Sequence, residues 1–123
     1  YLQQLIFANK KTIEIIDSIQ QKNPDAVIIL MSDHGGRFGV NWEDPSDLDY
    51  FRALNNLNAL YFPGKETYFP MDVSPVNIFR IFFNLYFESD YEILDEILIW
   101  YVPNQPFKHT DVTEIIKSSQ FRK

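Results

Sequence analysis

The chain is organised around Ala26-Val27-Ile28-Ile29-Leu30-Met31-Ser32-Asp33-His34-Gly35-Gly36, in which six apolar residues stop abruptly at small and polar ones. Apolar residues without alternation are typical of a strand covered on both faces, so the run predicts a buried, parallel strand. In open α/β sheets, functional residues gather just beyond the carboxyl ends of the strands. Asp33 and His34 occupy that position and are the first candidates for a functional site.

The chemistry of this pair suits a divalent metal. Carboxylate and neutral imidazole groups both bind zinc or manganese, and the two following glycines let the backbone turn sharply enough for neighbouring side chains to converge. The same residues are also ordinary turn chemistry after a strand. The spacing alone is therefore consistent with a metal site and equally with a plain turn that carries a surface histidine.

Length and composition indicate one folded domain. The chain has 123 residues, of which 46% are hydrophobic and 16% aromatic, and this favours a packed core over disorder. The formal net charge of -6 argues against nucleic acid as a partner, because no basic surplus exists to displace phosphate counterions. The absence of cysteine excludes disulfides and thiol catalysis. No apolar run is long enough to span a membrane.

Apolar residues recur at helical spacing from Leu2 to Ile19, which predicts an amphipathic helix packed on a sheet. Two further elements are expected before the middle of the chain: a helix over 49–55 that Ser46 caps, and a strand over 57–62 that ends at the Pro63-Gly64 turn. Two more are expected near its end: a helical turn that leads into a strand over 91–102 and ends at Pro103, and a helix over 110–117.

The clearest predicted helix spans 76–87, after Ser74 as the N-cap and Pro75 at the first helical position. Its side chains are apolar almost all round. The polar ones form one narrow stripe of Asn77, Arg80 and Asn84. We interpret the stripe as polar contacts between the helix and a loop, and the aromatic remainder as core or as a surface that a partner covers.

Two segments can be compared together with known families. The first is Ser32-Asp33-His34-Gly35 after the strand, and the second is Leu57-Asn58-Ala59-Leu60-Tyr61-Phe62-Pro63-Gly64 followed by Val73-Ser74-Pro75-Val76-Asn77-Ile78-Phe79-Arg80. Their order and spacing resemble the sulfatase-like branch of the alkaline phosphatase superfamily. Within it, the similarity is to membrane-associated proteins such as phosphoethanolamine transferases and lipoteichoic acid synthases, and it extends over most of residues 1–102.

The resemblance implies that Asp33 and His34 supply two ligands to a divalent metal, which would be zinc, manganese or calcium, in the intact protein. It also implies a phosphate or sulfate ester as the substrate, attacked by a Thr, Ser or modified Cys nucleophile. Neither that nucleophile nor the family's further acidic ligand can be matched here. Residues 1–123 are therefore expected to be a single partial domain, the C-terminal segment of a catalytic domain that begins before Tyr1, and to be inactive alone.

The expected fold is α/β, with a mostly parallel sheet flanked by helices, as the C-terminal part of an alkaline-phosphatase-like domain. Arg37 is a further candidate, which could pair with an anionic ester oxygen or remain a solvated loop arginine. His109 is expected at the surface. The alternatives kept open are a non-catalytic α/β interaction domain and a homo-oligomer formed through helix 76–87. The resemblance also suggests a membrane-anchored parent with this domain outside the cytoplasm, although the residues do not identify the compartment.

Overall fold

The computed structural model describes residues 1–65 and 73–118. The elements in chain order are α1 (Leu2–Lys22), β1 (Ile28–Met31), α2 (Asp47–Leu54), β2 (Asn58–Tyr61), α3 (Pro75–Phe87), β3 (Ile99–Val102), β4 (Gln105–Asp111) and α4 (Thr113–Ser118). Within these ranges the chain divides into two compact units, residues 1–30 with 59–65 and residues 31–58 with 73–118.

The long helix α1 belongs to the first unit. It ends at Asn23, whose N–H donates to the Ile19 carbonyl, immediately before the helix-incompatible Pro24. All 21 residues of α1 are described, and none of them is buried. The predicted helix is thus confirmed, but the expected covering of its apolar stripe is not found. Helical periodicity determines which side chains share a face and not what lies against that face.

The strands β1 and β2 pair in an antiparallel sense, so the predicted mostly parallel sheet flanked by helices is wrong. The second described sheet, β3 with β4, is antiparallel as well. All four residues of β1 are half-buried rather than buried. An unbroken apolar run identifies a strand, but the direction and number of its neighbours depend on how distant parts of the chain return to it.

The strands β3 and β4 form an antiparallel hairpin in the second unit. Its register pairs Ile99 with Asp111 and Tyr101 with His109, and it shifts before Val102, which pairs with Gln105. The end of β3 at Pro103 confirms the prediction, whereas the described residues 91–98 form no helical turn. The strand β4 was not predicted, because its Gln-Pro-Phe-Lys-His-Thr-Asp sequence has no alternating apolar pattern.

Trp100 on β3 is the centre of the core in the second unit. It stacks on Trp42 with ring centroids 4.8 Å apart and meets the edge of Tyr50 at 5.0 Å. The buried residues packed with it are Ala53 of α2, Val112, and Ile116 of α4. This core holds α2 in place, and α2 in turn positions the candidate site.

The helix α3 begins as predicted, with Ser74 at the N-cap and Pro75 as the first residue. The interpretation of its polar stripe is confirmed. The Asn77 amide bonds both backbone groups of Leu94, at 2.8 and 3.0 Å, and the Asn84 amide does the same with Tyr91, at 2.8 Å each. Arg80 Nη1 donates to the Glu92 carbonyl at 2.9 Å. The stripe therefore binds the extended segment 91–94 along the helix.

Candidate metal centre and adjoining groove

Asp33 and His34 are the second and third residues after β1, which ends at Met31, so their predicted position just beyond a strand is confirmed. The Asp33 side chain is 87% exposed and the His34 side chain 37% exposed. The structure brings the pair together, because His34 Nε2 lies 3.6 Å from Asp33 Oδ2. The pair is therefore open to solvent, with a nitrogen and an oxygen close enough to share a bound ion.

The ring orientation of His34 is set by its neighbour. His34 Nδ1 lies 2.8 Å from the Gly35 carbonyl oxygen, which can only accept, so this contact selects the neutral tautomer that has its proton on Nδ1 and a lone pair on Nε2. A carbonyl that holds the other ring N–H is the usual support of a metal-binding histidine. Two ligand atoms on one tetrahedral metal, at about 2.1 Å each, lie roughly 3.4 Å apart. The observed 3.6 Å separation is close to that value.

The residues present fit a metal but supply only part of its coordination. No group of three or more His, Cys, Asp or Glu side chains that could hold a metal occurs within residues 1–65 and 73–118. Catalytic zinc sites normally use three protein ligands and structural sites four. Asp33 and His34 can therefore supply two of the ligands that such a site needs.

Gly35 anchors the pair to the C-terminal end of α2. Its N–H donates to the Ala53 carbonyl at 2.8 Å. A Cβ on Gly35 would lie 2.0 Å from the Arg52 carbonyl oxygen and 2.6 Å from that of Asn55, so only glycine permits this approach. The helix itself is fixed at its start by the predicted Ser46–Asp49 capping box, which is confirmed with both reciprocal bonds.

The backbone just before Asp33 is clamped by residues that precede β2. Ser32 N–H donates to the Leu57 carbonyl at 3.0 Å, and Leu57 N–H donates back to the Ser32 hydroxyl at 2.8 Å. The Asn56 amide donates to the Ser32 carbonyl at 3.0 Å. Ser32 is therefore used to position the chain, and its hydroxyl is already engaged by a backbone donor.

Arg37, the secondary candidate, lies against an aromatic ring. Its guanidinium carbon is 5.5 Å from the Trp42 ring centroid, a cation–π distance. A groove of about 430 Å³ opens beyond Gly36 and is lined by Gly36, Phe38, Phe51, Arg52 and Asn55. Arg52 was not predicted as a site residue, because nothing in the sequence relates the last turn of α2 to Gly36. His109 is exposed on β4, as predicted.

Searches of family models, curated proteins and solved structures find no match to this chain. Among the described residues, no helix is both long and apolar enough to cross a membrane.

Proposed function

We propose that this chain is a segment of a metal-dependent, sulfatase-like protein that hydrolyses or transfers phosphate or sulfate esters, and that the segment is inactive alone. The observation that carries the proposal is the Asp33–His34 pair, with Oδ2 and Nε2 3.6 Å apart and Nδ1 directed at the Gly35 carbonyl. The order of the two motif segments in the sequence supports the ester class. The metal is a divalent ion, with zinc, manganese and calcium as candidates.

Each residue of the site has a distinct role in this proposal. Asp33 Oδ2 and His34 Nε2 hold the ion, the Gly35 carbonyl keeps the imidazole in the correct tautomer, and the Ser32 clamp holds the backbone before Asp33. When bound, the ion supplies positive charge to an ester oxygen. Because no residue of this chain matches the nucleophile of the family that it resembles, the attacking group is assigned to another part of the intact protein.

Metal content and ester hydrolysis of the intact protein test the proposal. We expect Asp33→Asn and His34→Ala each to lower bound metal, measured by elemental analysis, together with hydrolysis of an aryl phosphate or sulfate. His109→Ala is the matched control, because this histidine is exposed on β4. Wild-type metal content and turnover in both site variants would overturn the proposal and favour a non-catalytic interaction domain.

The 123-residue chain by itself is expected to show no esterase turnover above that of free metal ions. Turnover that disappears in Asp33→Ala would contradict the assignment of the nucleophile to another part of the protein.

A second copy of the chain is the proposed protein partner. The exposed residues on one face of α3 are Val76, Phe79, Phe83 and Phe87, while Ile78 and Ile81 on the opposite side are buried. An apolar helix face of this kind can be covered by the same face of a symmetry-related copy. This homo-oligomer is independent of the metal proposal.

A further inference from the structure

The groove beyond Gly36 combines a cation with apolar walls. Its volume of about 430 Å³ falls within the range of small-molecule sites. Phe38 and Phe51 are aromatic lining residues, and the lining residues Arg52 and Asn55 carry side chains that can donate hydrogen bonds. This combination suits a ligand that has both an anionic head and an apolar or aromatic body.

Arg52 forms no close ion pair within the described residues, although its charge also attracts the Asp49 carboxylate at longer range. The ion pairs found in the described part of the chain are Lys11–Glu14 and the His34–Asp33 pair, so neither involves Arg52. The nearest acidic residue on its own helix, Asp49, accepts hydrogen bonds from the Ser46 N–H at 3.0 Å and from the Ser46 hydroxyl at 2.8 Å. Arg52 is also exposed, which lets its planar fork of donors meet a phosphate or sulfate.

Phe38 is exposed to solvent and lies in a tight turn. Val40 N–H closes the turn onto the Arg37 carbonyl at 3.4 Å, and Gly39 has φ 73°, the positive value that the third position of a type II turn requires. Phe38 is 98% exposed although it lines the groove. A phenyl ring held in solvent at the rim of a groove gains stability when an apolar ligand covers it.

The groove and the metal pair share one structural support. Gly35 docks on the C-terminal end of α2, where its N–H bonds Ala53, and the next residue, Gly36, lines the groove beside Arg52 and Asn55. We infer that this groove binds the ester substrate, with Arg52 pairing with its phosphate or sulfate oxygens and Phe38 and Phe51 covering an apolar or aromatic alcohol. The inference rests on the proposed function for its reaction, but it concerns a separate set of residues.

The test is a titration of the chain with phenyl phosphate in buffer containing a metal chelator, followed by NMR or calorimetry. Inorganic phosphate and phenol are titrated in parallel. We expect phenyl phosphate to bind more tightly than either, because it engages both parts of the groove. Arg52→Gln should weaken phenyl phosphate binding about tenfold or more, through loss of a charge-assisted contact. Phe38→Ala should weaken it by about threefold to tenfold and leave inorganic phosphate unchanged.

Lys108→Gln is the matched control and should bind phenyl phosphate like wild type, because Lys108 is an exposed cation on β4 that does not line the groove. Circular dichroism establishes that each variant is folded. Wild-type affinity in folded Arg52→Gln and Phe38→Ala would overturn the inference, and so would equal weakening in Lys108→Gln. Because the chelator removes metal, phenyl phosphate binding that persists in Asp33→Asn separates the groove from the metal pair. Failure of the groove and failure of the metal proposal can therefore be told apart.

Discussion

At the scale of single residues, Gly35 holds the turn that carries Asp33 and His34 against α2. In Gly35→Ala, the new Cβ would lie 2.0 Å from the Arg52 carbonyl oxygen, so the turn must move away from α2. We expect the free energy of unfolding to fall by about 1–3 kcal/mol, as in other overpacked sites. We also expect the Gly35 carbonyl to leave His34 Nδ1. Urea denaturation measures the first effect, and ¹⁵N shifts of the imidazole measure the second.

Gly36→Ala is the control for this prediction. A Cβ on Gly36 meets nothing within 4 Å, so its free energy of unfolding should stay within about 0.5 kcal/mol of wild type. An equal decrease in the free energy of unfolding of the two variants would show that the close approach of Gly35 to α2 is not what holds the turn.

At the scale of elements, the capping box makes the stability of α2 depend on pH. The Ser46 backbone N–H, and after it the Ser46 hydroxyl, hold the pKa of Asp49 below its usual value of 3.8. A carboxylate whose pKa is lowered by folding adds stability above its unfolded pKa, and this stability is lost as pH falls through the folded pKa. Asp49→Asn should therefore be less stable than wild type at neutral pH, with a difference that shrinks below about pH 4.

Denaturation midpoints of wild type and Asp49→Asn at neutral and acidic pH measure this difference. Asp47→Asn is the matched control, because Asp47 lies in the same first turn while the described bonds of Ser46 go to Asp49. A gap between wild type and Asp49→Asn that stays constant with pH, or one that Asp47→Asn reproduces, would contradict the role of the capping box. Ser46→Ala should cost about 1 kcal/mol, the usual value of a lost cap.

At the scale of the whole molecule, the exposed face of α3 predicts self-association. The net charge of -6 opposes association only weakly at physiological salt, where the Debye length is about 8 Å. We expect a dimer or larger species at micromolar concentration, and we expect Phe79→Glu or Phe83→Glu to shift it to monomer without unfolding, because both rings are exposed. Light scattering coupled to size exclusion gives the mass.

Phe107→Glu provides the control for this change of charge. Phe107 is as large and as apolar, and it is exposed on β4 rather than on α3. Its variant should associate like wild type. A monomer mass for the wild-type chain across the micromolar range would refute the oligomer, as would dissociation of Phe107→Glu.

Several elements could be predicted from the sequence because the interactions that form them join residues close together in the chain. Ser46 and Asp49 are three residues apart and form the capping box, while Ser74 and Pro75 start α3 as their chemistry predicts. The stripe of α3 was also interpreted correctly, since polar groups on an apolar helix must find partners. The position of Asp33 and His34 at the end of a strand was predicted, whereas their metal and the ester chemistry stay predictions.

The tertiary structure alone decided the features that join distant residues. The antiparallel pairing of β1 with β2, the hairpin partner β4 and the groove that Gly36 shares with Arg52 each depend on segments that are distant in sequence. A short apolar run such as Ile28–Met31 is equally compatible with a parallel or an antiparallel neighbour, because an apolar pattern indicates burial but not the direction of the neighbouring strand. Capping and turn chemistry act over three or four residues, while sheet pairing and groove formation depend on the packing of segments that are far apart in sequence.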